Sequence, residues 1–477
     1  MTNEKARSEM SANPTLQFLG AAQQVTGSCH LIRINRKNIL LDCGMVQGAN
    51  QVREWHRFRF RFNPEKIDLV ILSHAHIDHS GLLPLLVAKG FRGKILCTPG
   101  TRDLLPVLLN DSVLLYQKDL EWQNKRLKRQ GKPTLPTVMT TKDVDRVMKQ
   151  VERLSYDKQG FPIPGIEVVF RDAGHILGSA IVELWLKHGQ SMRHLVFSGD
   201  LGNTATVLMH RPSQIDQADI VLMESTYGNR NHRPFSDTYE ELASVLEQAH
   251  GDGGNVFIPA FALGRTQELL YCLGQLYHQG RLKQSRVFLD SPMASSITDI
   301  YNDSLQRLDK KDTRAMADRN ARTLQEFLPI LRVTESVEES IAINRISQGA
   351  IVIAGSGMCN GGRITHHLKH NLWNSQNHLI FAGFQARGTL GRQLVDGATR
   401  VKLFGQTIAV KAQVHTLGGF SAHAGQTELI EWARHIGGRP RFYLVHGEPE
   451  AQEVLRQALV EYDIDVEIPE PRQKVDL

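Results

Sequence analysis

The sequence lacks the features of a membrane protein. Its 477 residues contain no apolar run long enough for a bilayer-spanning helix, which needs about 18 or more residues. The segment Met1 to Pro14 is polar and has no signal-peptide core. We therefore expect no membrane partner and a cytoplasmic location.

Cysteine is scarce and scattered. The five cysteines are odd in number and form no Cys-x-x-Cys pair: Cys29, Cys43, Cys97, Cys272 and Cys359. This pattern argues against a disulfide framework and against a cysteine zinc site, and it favours reduced thiols in a reducing compartment. Internal repeats and low-complexity tracts are also absent.

Size and composition indicate a folded protein of more than one domain. A chain of this length exceeds one ordinary core, and its 41% hydrophobic and 22% charged residues are typical of globular proteins. The net charge of +6 at pH 7 allows a polyanionic partner without requiring one.

One segment concentrates metal-binding chemistry. Directly after the apolar run Ile67 to Leu72, six consecutive positions hold three imidazoles and a carboxylate: His74, His76, Asp78 and His79. Imidazole and carboxylate ligands suit Zn²⁺ or a similar divalent ion. A metal cluster that keeps a bound water is typical of a hydrolase. A histidine-rich surface loop is the weaker interpretation, because this spacing after a buried-type strand is uncommon.

The pattern of elements changes near Tyr227. Before it, short apolar strands dominate, which predicts packed sheets with helices outside. After it, strands such as Asn255 to Ile258 alternate with helices such as Gly264 to Leu276, which is typical of a parallel α/β unit. A second domain is therefore predicted from about Asn229 to Val410.

Three further residues stand at predicted strand ends. Asp42 precedes a glycine turn and is predicted to hold the histidine loop in orientation by accepting hydrogen bonds. An ordinary turn-capping aspartate is the alternative for Asp42. His175 lies between glycines, and Asp200 ends an apolar strand where its two oxygens could bridge two metals. Alone, His175 would more often be structural, and Asp200 a turn residue.

The order of these elements resembles the metallo-β-lactamase superfamily, whose successive motifs are an Asp, His-x-His-x-Asp-His, a His and an Asp. The resemblance implies that one metal is held by His74, His76 and His175. It implies that Asp78 and His79 hold a second metal, that Asp200 contacts both, and that a hydroxide activated by the two metals is the nucleophile. Zn²⁺ is the expected ion, with Mn²⁺ as the alternative.

Three later segments resemble motifs A, B and C of the β-CASP branch: Met223 to Gly228, Phe420 to Ala424 and Leu444 to Glu448. By this resemblance the fold is an α/β metallo-β-lactamase αββα sandwich with an inserted α/β domain, a parallel sheet flanked by helices. Residues 15–228 form the first part of the lactamase domain, 229–410 the β-CASP insertion and 411–477 the return. His446 completes the second metal site.

The predicted catalytic residues are Asp78, Glu224 and His423. Our hypothesis is that His423, positioned by Glu224, gives a proton to the leaving oxygen of a phosphodiester. The alternatives are a surface carboxylate for Glu224 and an ordinary helix-start residue for His423.

Substrate contacts are predicted in the inserted domain. Glycine-rich turns, Ala354 to Met358 and Gly361 to Arg363, could cradle a phosphate, although a glycine turn is usually only a turn. Similar residues line the nucleic-acid cleft in the family, so the predicted substrate-binding residues are Ser356, Gly357, Arg363, Arg387 and Ser421.

Two basic tracts carry alternatives of their own. Arg53 to Phe62 interleaves arginines with aromatic residues, which fits either phosphate pairing with base stacking or a half-buried strand. Lys125 to Lys132 is interpreted as a solvated helix end.

The resemblance implies a metal-dependent ribonuclease of RNA processing or degradation, similar to prokaryotic relatives of the cleavage subunit of the pre-mRNA 3′-end machinery. RNA is preferred over DNA because the RNA-processing members have His at motif C. The expected substrate is single-stranded RNA, cut endonucleolytically, with 5′ exonuclease action as a second activity and a homodimer allowed. The alternatives are a hydrolase of another phosphodiester or ester, including DNA or a small molecule, and a non-catalytic RNA-binding scaffold.

Overall fold

The computed structural model describes residues 13–46 and 58–477. The chain forms two compact units. The first contains the described residues up to 204 together with 211–231 and 423–477, and the second contains 205–210 and 232–422. The boundaries predicted at 228 and 410 stay a prediction. None of the helices in the described ranges is long and apolar enough to cross a membrane.

The strands, numbered in chain order, are β1 (Thr15–Gly20), β2 (Cys29–Ile34), β3 (Lys37–Leu41), β4 (Leu69–Ile71), β5 (Lys94–Cys97), β6 (Val151–Arg153), β7 (Gln159–Ile163), β8 (Ile166–Asp172), β9 (Ala180–His188), β10 (Ser191–Phe197), β11 (Ile220–Glu224), β12 (Val256–Pro259), β13 (Arg286–Asp290), β14 (Leu331–Val333), β15 (Ala350–Ala354), β16 (His378–Phe381), β17 (Arg400–Leu403), β18 (Gln406–Ala409), β19 (Gln413–Thr416), β20 (Arg441–Val445), β21 (Val466–Glu467) and β22 (Lys474–Asp476).

The α-helices are α1 (Ile77–Ser80), α2 (Leu83–Ala88), α3 (Pro99–Arg129), α4 (Thr141–Gln150), α5 (Phe235–Gly251), α6 (Arg265–His278), α7 (Pro292–Asp303), α8 (Lys310–Ala317), α9 (Leu324–Phe327), α10 (Val337–Ile343), α11 (Gly362–Asn371), α12 (Leu390–Val395), α13 (Gln426–His435) and α14 (Pro449–Val460). Short 3₁₀ turns occur at Pro64–Lys66 and Leu305–Arg307.

Two seven-stranded sheets form the first unit. Their strand orders are β22-β1-β2-β3-β4-β5-β6 and β21-β20-β11-β10-β9-β8-β7. Strand side chains alternate between faces, so Phe18 and Ile39 of one sheet share an apolar core with Val182 and Phe197 of the other. Helices α13 and α14 cover the outer face of the second sheet. Helices α2, α3 and α4 pack together beside β5 and β6. The predicted αββα sandwich is confirmed.

The second unit is built on a six-stranded sheet of order β14-β13-β15-β12-β16-β19. Its neighbouring strands are all parallel. Phe257, Val352 and Leu379 of the sheet pack against Ile364 and Leu368 of α11. Strands β17 and β18 form a separate antiparallel hairpin. The predicted parallel α/β insertion is confirmed.

The sequence pattern predicts a helix from Gly100 to Trp122, and helix α3 is longer than that. It begins where Thr98 caps the backbone N–H of Thr101 and continues to Arg129. Its last turns are polar and mainly solvent-exposed, and they contain Arg126, Lys128 and Arg129. Polar residues therefore extend the helix beyond its apolar face. The basic tract that begins at Lys125 forms the end of this helix, as interpreted from the sequence.

The aromatic tract Arg53 to Phe62 falls partly outside the described residues, which resume at Phe58. Residues 58–62 form no strand. The rings of Phe58, Phe60 and Phe62 instead pack in series, with neighbouring ring centroids 5.1 Å apart. The half-buried strand is therefore not found in this part of the tract, and base stacking stays a prediction.

Candidate metal centre

The carboxyl ends of parallel strands bring the predicted ligands together in the first unit. In the first sheet, β3 leads into Asp42 and its parallel neighbour β4 leads into the loop that begins at Ser73. In the second sheet, β10, β11 and β20 run parallel and lead toward Asp200, Glu224 and His446. Side chains far apart in sequence therefore meet at one edge of the sandwich.

A first group of potential ligands contains His74, His76, His175 and Asp200, with ligand atoms within 4.8 Å of one another. The Nδ1 atom of His76 lies 3.0 Å from Nε2 of His74 and 3.2 Å from Nε2 of His175. Asp200 Oδ2 lies 3.4 Å from Nε2 of His74. Three ring nitrogens and one carboxylate oxygen thus converge on one point.

A second group contains Asp78, His79 and His446. The Nε2 atoms of the two histidines lie 3.1 Å apart, and Oδ2 of Asp78 lies 3.6 Å from Nε2 of His446. Oδ1 of Asp200 lies 3.3 Å from Nε2 of His79. Asp200 therefore directs one carboxylate oxygen at each group.

The donor atoms fit divalent cations. Oδ1 of Asp200 is buried and accepts no hydrogen bond, whereas buried polar atoms normally have such a partner. Burial is the largest effect on three of the histidines, and it lowers the pKa of His74 to about 3, of His76 to about 4 and of His175 well below its usual value. Neutral imidazoles offer the lone pairs that a metal needs.

Asp42 lies behind the second group and is fully buried. Its Oδ2 lies 2.6 Å from Nδ1 of His79 and accepts hydrogen bonds from the hydroxyls of Ser28 and Ser73, each at 3.0 Å. Burial opposes a charge on His79, but the carboxylates of Asp200 and Asp42 raise its pKa well above the usual value. With Nδ1 facing Asp42, the ring turns Nε2 toward Asp200 and His446.

Glu224 and His423 form a pair beside the two groups. Nδ1 of His423 lies 3.1 Å and 3.2 Å from the two carboxylate oxygens of Glu224. The buried carboxylate also accepts hydrogen bonds from the backbone N–H groups of Leu201 and Thr226. Burial disfavours the charged imidazole, yet Glu224 outweighs it and raises the pKa of His423 to about 9.

The His423 ring is near both ligand groups. Its centroid lies 4.5 Å from that of His175 and 5.9 Å from that of His446. Asp200, Glu224 and His423 also form a third set of potential metal ligands by distance. The position of His423 therefore fits two roles, proton transfer and metal ligation.

Two glycines are required by close backbone approaches in the centre. A Cβ atom on Gly44 would lie 1.6 Å from the carbonyl oxygen of Asp78, and one on Gly202 would lie 2.0 Å from that of Gly174. Only glycine fits such approaches without moving the ligand loops.

The predicted substrate-binding residues all belong to the second unit. Ser356 and Gly357 lie between β15 and α11, Arg387 is exposed before α12, and Ser421 is buried near the end of the unit. The Arg363 guanidinium is engaged inside the unit, since it pairs with Asp290 at 2.6 Å and donates to the carbonyl of Glu335. These contacts favour a structural role for Arg363, and RNA contacts by the set stay a prediction.

Sequence reasoning missed the hydroxyls that orient the histidines. Ser73 Oγ lies 3.0 Å from Nδ1 of His74, and Thr226 Oγ1 lies 3.1 Å from Nδ1 of His446. Ser73 directly precedes a predicted ligand, and Thr226 is inside the segment compared with motif A. Their positions in the sequence therefore indicated a role near the ligands. The sequence did not indicate that Thr226 pairs with a residue 220 positions away.

Family comparisons cover most of the chain. Residues 23–146 match the metallo-β-lactamase superfamily. Residues 266–394 match the Beta-Casp domain, and residues 407–469 match the Zn-dependent metallo-hydrolase RNA specificity domain.

Known proteins similar to this chain include Ribonuclease TTHA0252 of Thermus thermophilus. It is 39% identical over 432 residues, which is 90% of this chain and 92% of the relative. Transcription termination factor FttA of Methanocaldococcus jannaschii is 31% identical over 91% of this chain and 67% of its own length. An RNase J-like protein from the same organism is 29% identical, covering 91% of this chain and 92% of its own.

A solved structure of a protein of unknown function from Enterococcus faecalis V583 matches with a TM-score of 0.54 and 12% identity, covering 98% of this chain and all of that one. This likeness concerns the fold alone. The sequence relatives, the Zn-dependent hydrolase match and the His/Asp cluster agree with the predicted hydrolase and its metal cofactor. The chain belongs to the β-CASP family of metal-dependent RNA nucleases within the metallo-β-lactamase superfamily.

Proposed function

We propose that this protein is a ribonuclease that cuts single-stranded RNA internally in the cytoplasm, with hydrolysis from a 5′ end as a secondary activity. The observation that carries the proposal is the position of Asp200, whose two carboxylate oxygens face two separate groups of histidine and aspartate ligands. That arrangement suits a pair of divalent cations, as many phosphodiester hydrolases use.

In this proposal His74, His76, His175 and Asp200 would hold one ion, and Asp78, His79, His446 and Asp200 the other. When bound, such ions lower the pKa of a coordinated water and neutralise charge on the phosphate. Asp42 would fix His79 by accepting from its Nδ1–H, so that Nε2 keeps a lone pair for the metal.

His423 would deliver the proton that the leaving oxygen needs. Nδ1 faces Glu224 at 3.1 Å, and this contact orients the ring and favours its protonated form. An alkoxide is a poor leaving group, so a positioned imidazolium should speed bond cleavage. The burial of Glu224 keeps its carboxylate from being screened by water.

The test compares the metal-loaded protein with His79→Ala on 5′-labelled RNA that carries either a monophosphate or a triphosphate. Internal fragments from both RNAs, absent with the variant, are the expected result. Release of mononucleotides from the monophosphorylated RNA alone would indicate a mainly 5′ exonuclease. His435→Ala is the matched control, because His435 is an exposed histidine of α13. Equal cleavage by wild type and His79→Ala would contradict the two-metal proposal.

A further inference from the structure

The second unit contains a basic segment that the catalytic centre does not use. Between Glu339 and Glu428 the sequence has one acidic residue, Asp396, whereas lysines and arginines recur from Arg345 to Lys411. Asp396 is already paired with Arg392 at 2.7 Å. Surfaces built from this segment therefore have an excess of positive charge, which attracts polyanions.

An exposed aromatic ring stands at the tip of the β17–β18 hairpin in this segment. Phe404 is 56% exposed. Its ring stacks on the imidazole of His366 in α11, with centroids 4.4 Å apart and planes at 27°. Nζ of Lys369 lies 5.9 Å from the Phe404 ring centroid. Lys369 and His370 follow His366 by three and four residues, so both lie next to His366 on the helix surface.

Lys402 is a second lysine, on the hairpin strand that leads to Phe404. Its hairpin neighbours Val401 and Leu403 point into the core of the unit, so Lys402 points to solvent. Within residues 13–46 and 58–477, no carboxylate forms an ion pair with Lys369 or Lys402. Burial, followed by the neighbouring charges of His367, His370 and Lys369, lowers the pKa of His366. The Phe404 ring thus lies beside Lys369 and two residues after Lys402, and no carboxylate of the described residues neutralises either lysine.

We propose that a site without any of the metal ligands binds single-stranded RNA; it consists of His366, Lys369, His370, Lys402 and Phe404, together the Phe404 platform. A base stacks on Phe404, and Lys369 and Lys402 contact the flanking phosphates. This inference rests on the proposed function, because that function supplies RNA as the polyanion. Aromatic rings with nearby cations are the general means of holding single strands without sequence preference. Hairpin packing alone requires neither an exposed ring nor unpaired lysines.

The test measures binding of a single-stranded RNA with phosphorothioate linkages, which resist hydrolysis, to the full-length, metal-loaded protein by fluorescence anisotropy. Phe404→Ala should weaken binding about tenfold, since stacking contributes roughly 1–3 kcal/mol per base. The double variant Lys369→Gln/Lys402→Gln should reduce the slope of log K against log salt by about 1.4, the value for two phosphate contacts on a single strand. An abasic strand of equal length should be insensitive to Phe404→Ala.

Matched controls are Phe161→Ala, which removes an exposed ring of β7, and Lys283→Gln, which removes an exposed lysine of the second unit. Both should bind like wild type. All variants should hydrolyse bis(4-nitrophenyl) phosphate at the wild-type rate, because hydrolysis of this small diester depends on the metal centre alone. If Phe404→Ala does not fold, Phe404→Leu keeps apolar packing, removes the ring and should show the same loss.

Wild-type affinity in the platform variants would overturn the platform, as would failure of the wild-type protein to bind the strand. RNA that is bound through Phe404 and never hydrolysed would contradict the proposed function and leave the platform intact. The two ideas therefore fail in different ways.

Discussion

The imidazoles of His79 and His446 meet with their Nε2 atoms 3.1 Å apart, although 367 positions separate them in the chain. Each ring has its Nδ1 facing another group, Asp42 for His79 and Thr226 for His446. Both Nε2 atoms are thereby directed inward. Two nitrogens that share one focus with Asp78 and Asp200 are the arrangement expected of ligands around one ion.

Replacing His446 should remove one metal selectively. His446→Ala takes a donor from the second group and leaves all four donors of the first in place, so we expect the metal content to fall from about two ions per chain to about one. Elemental analysis of the purified protein measures this content. His74→Ala provides the comparison for the first group, and full metal content in His446→Ala would contradict the assignment.

Replacing Asp42 should weaken metal binding without removing a ligand. Asp42→Asn cannot accept the Nδ1–H of His79 as a carboxylate does, so the affinity for metal should fall roughly 10–100-fold. Competition with a chelator measures the affinity. Ser28→Ala, which removes one of the other hydrogen bonds to Asp42, should have a smaller effect. If Asp42→Asn binds metal as tightly as wild type, Asp42 is an ordinary turn-capping residue and does not orient His79.

His423→Ala should slow RNA cleavage by roughly 10²–10⁴-fold while both metals stay bound, because general acid catalysis contributes about that factor. Glu224→Gln should have the same direction of effect, since it weakens the orientation of His423. A diester with a 4-nitrophenolate leaving group needs no proton, so its hydrolysis should be nearly unaffected. Metal loss in step with activity would instead assign His423 as a ligand.

Glycine at position 44 should be essential for the metal centre. Gly44→Ala puts a Cβ atom 1.6 Å from the carbonyl oxygen of Asp78, so the ligand loop must move and metal binding should be lost. Gly251→Ala is the control, because no atom lies within 4 Å of its Cβ and the position ends helix α5. That control should be neutral or slightly stabilising. Metal content and circular dichroism of both variants distinguish local from global damage.

Asp290 should make the second unit acid-sensitive. Burial works against its charge, but hydrogen bonds from His367, Ser340, Thr334 and Arg363 hold its pKa well below the usual range. Because the folded pKa is below the unfolded value of about 3.9, the carboxylate stabilises the fold above that pH and the contribution is lost as the pH falls below it.

Asp290→Asn breaks the ion pair with Arg363 and should lower the unfolding free energy by about 3–5 kcal/mol at neutral pH. The variant should also lose less stability than wild type as the pH falls from about 5 to about 2. Thermal unfolding at several pH values measures both effects. Parallel pH profiles for the two proteins would show that Asp290 does not set this dependence.

Local motifs in the sequence predict much of the site, and tertiary pairing decides the rest. Ser73 to His79 is continuous, so its metal chemistry could be recognised from spacing alone. His446 was found only through family resemblance, because nothing near it indicates a partner on another strand. Arg363 looked like a phosphate ligand beside glycines, but its partner Asp290 lies 73 positions away and was not identifiable from the sequence.

Element boundaries were less predictable than motifs. Helix α14 was not predicted, although it covers the second sheet. Helix α3 is longer than predicted because its length does not follow an apolar face. Thr98 caps its start, and a run of helix-compatible polar residues extends its end.

The place of β20 between β21 and β11 has a consequence for biosynthesis. The ribosome makes β11 and the whole second unit before it makes β20 and His446. A nascent chain therefore contains the second unit before it has a complete second ligand group. Translation order delays completion of that group until β20 has been made and has joined the sheet beside β11.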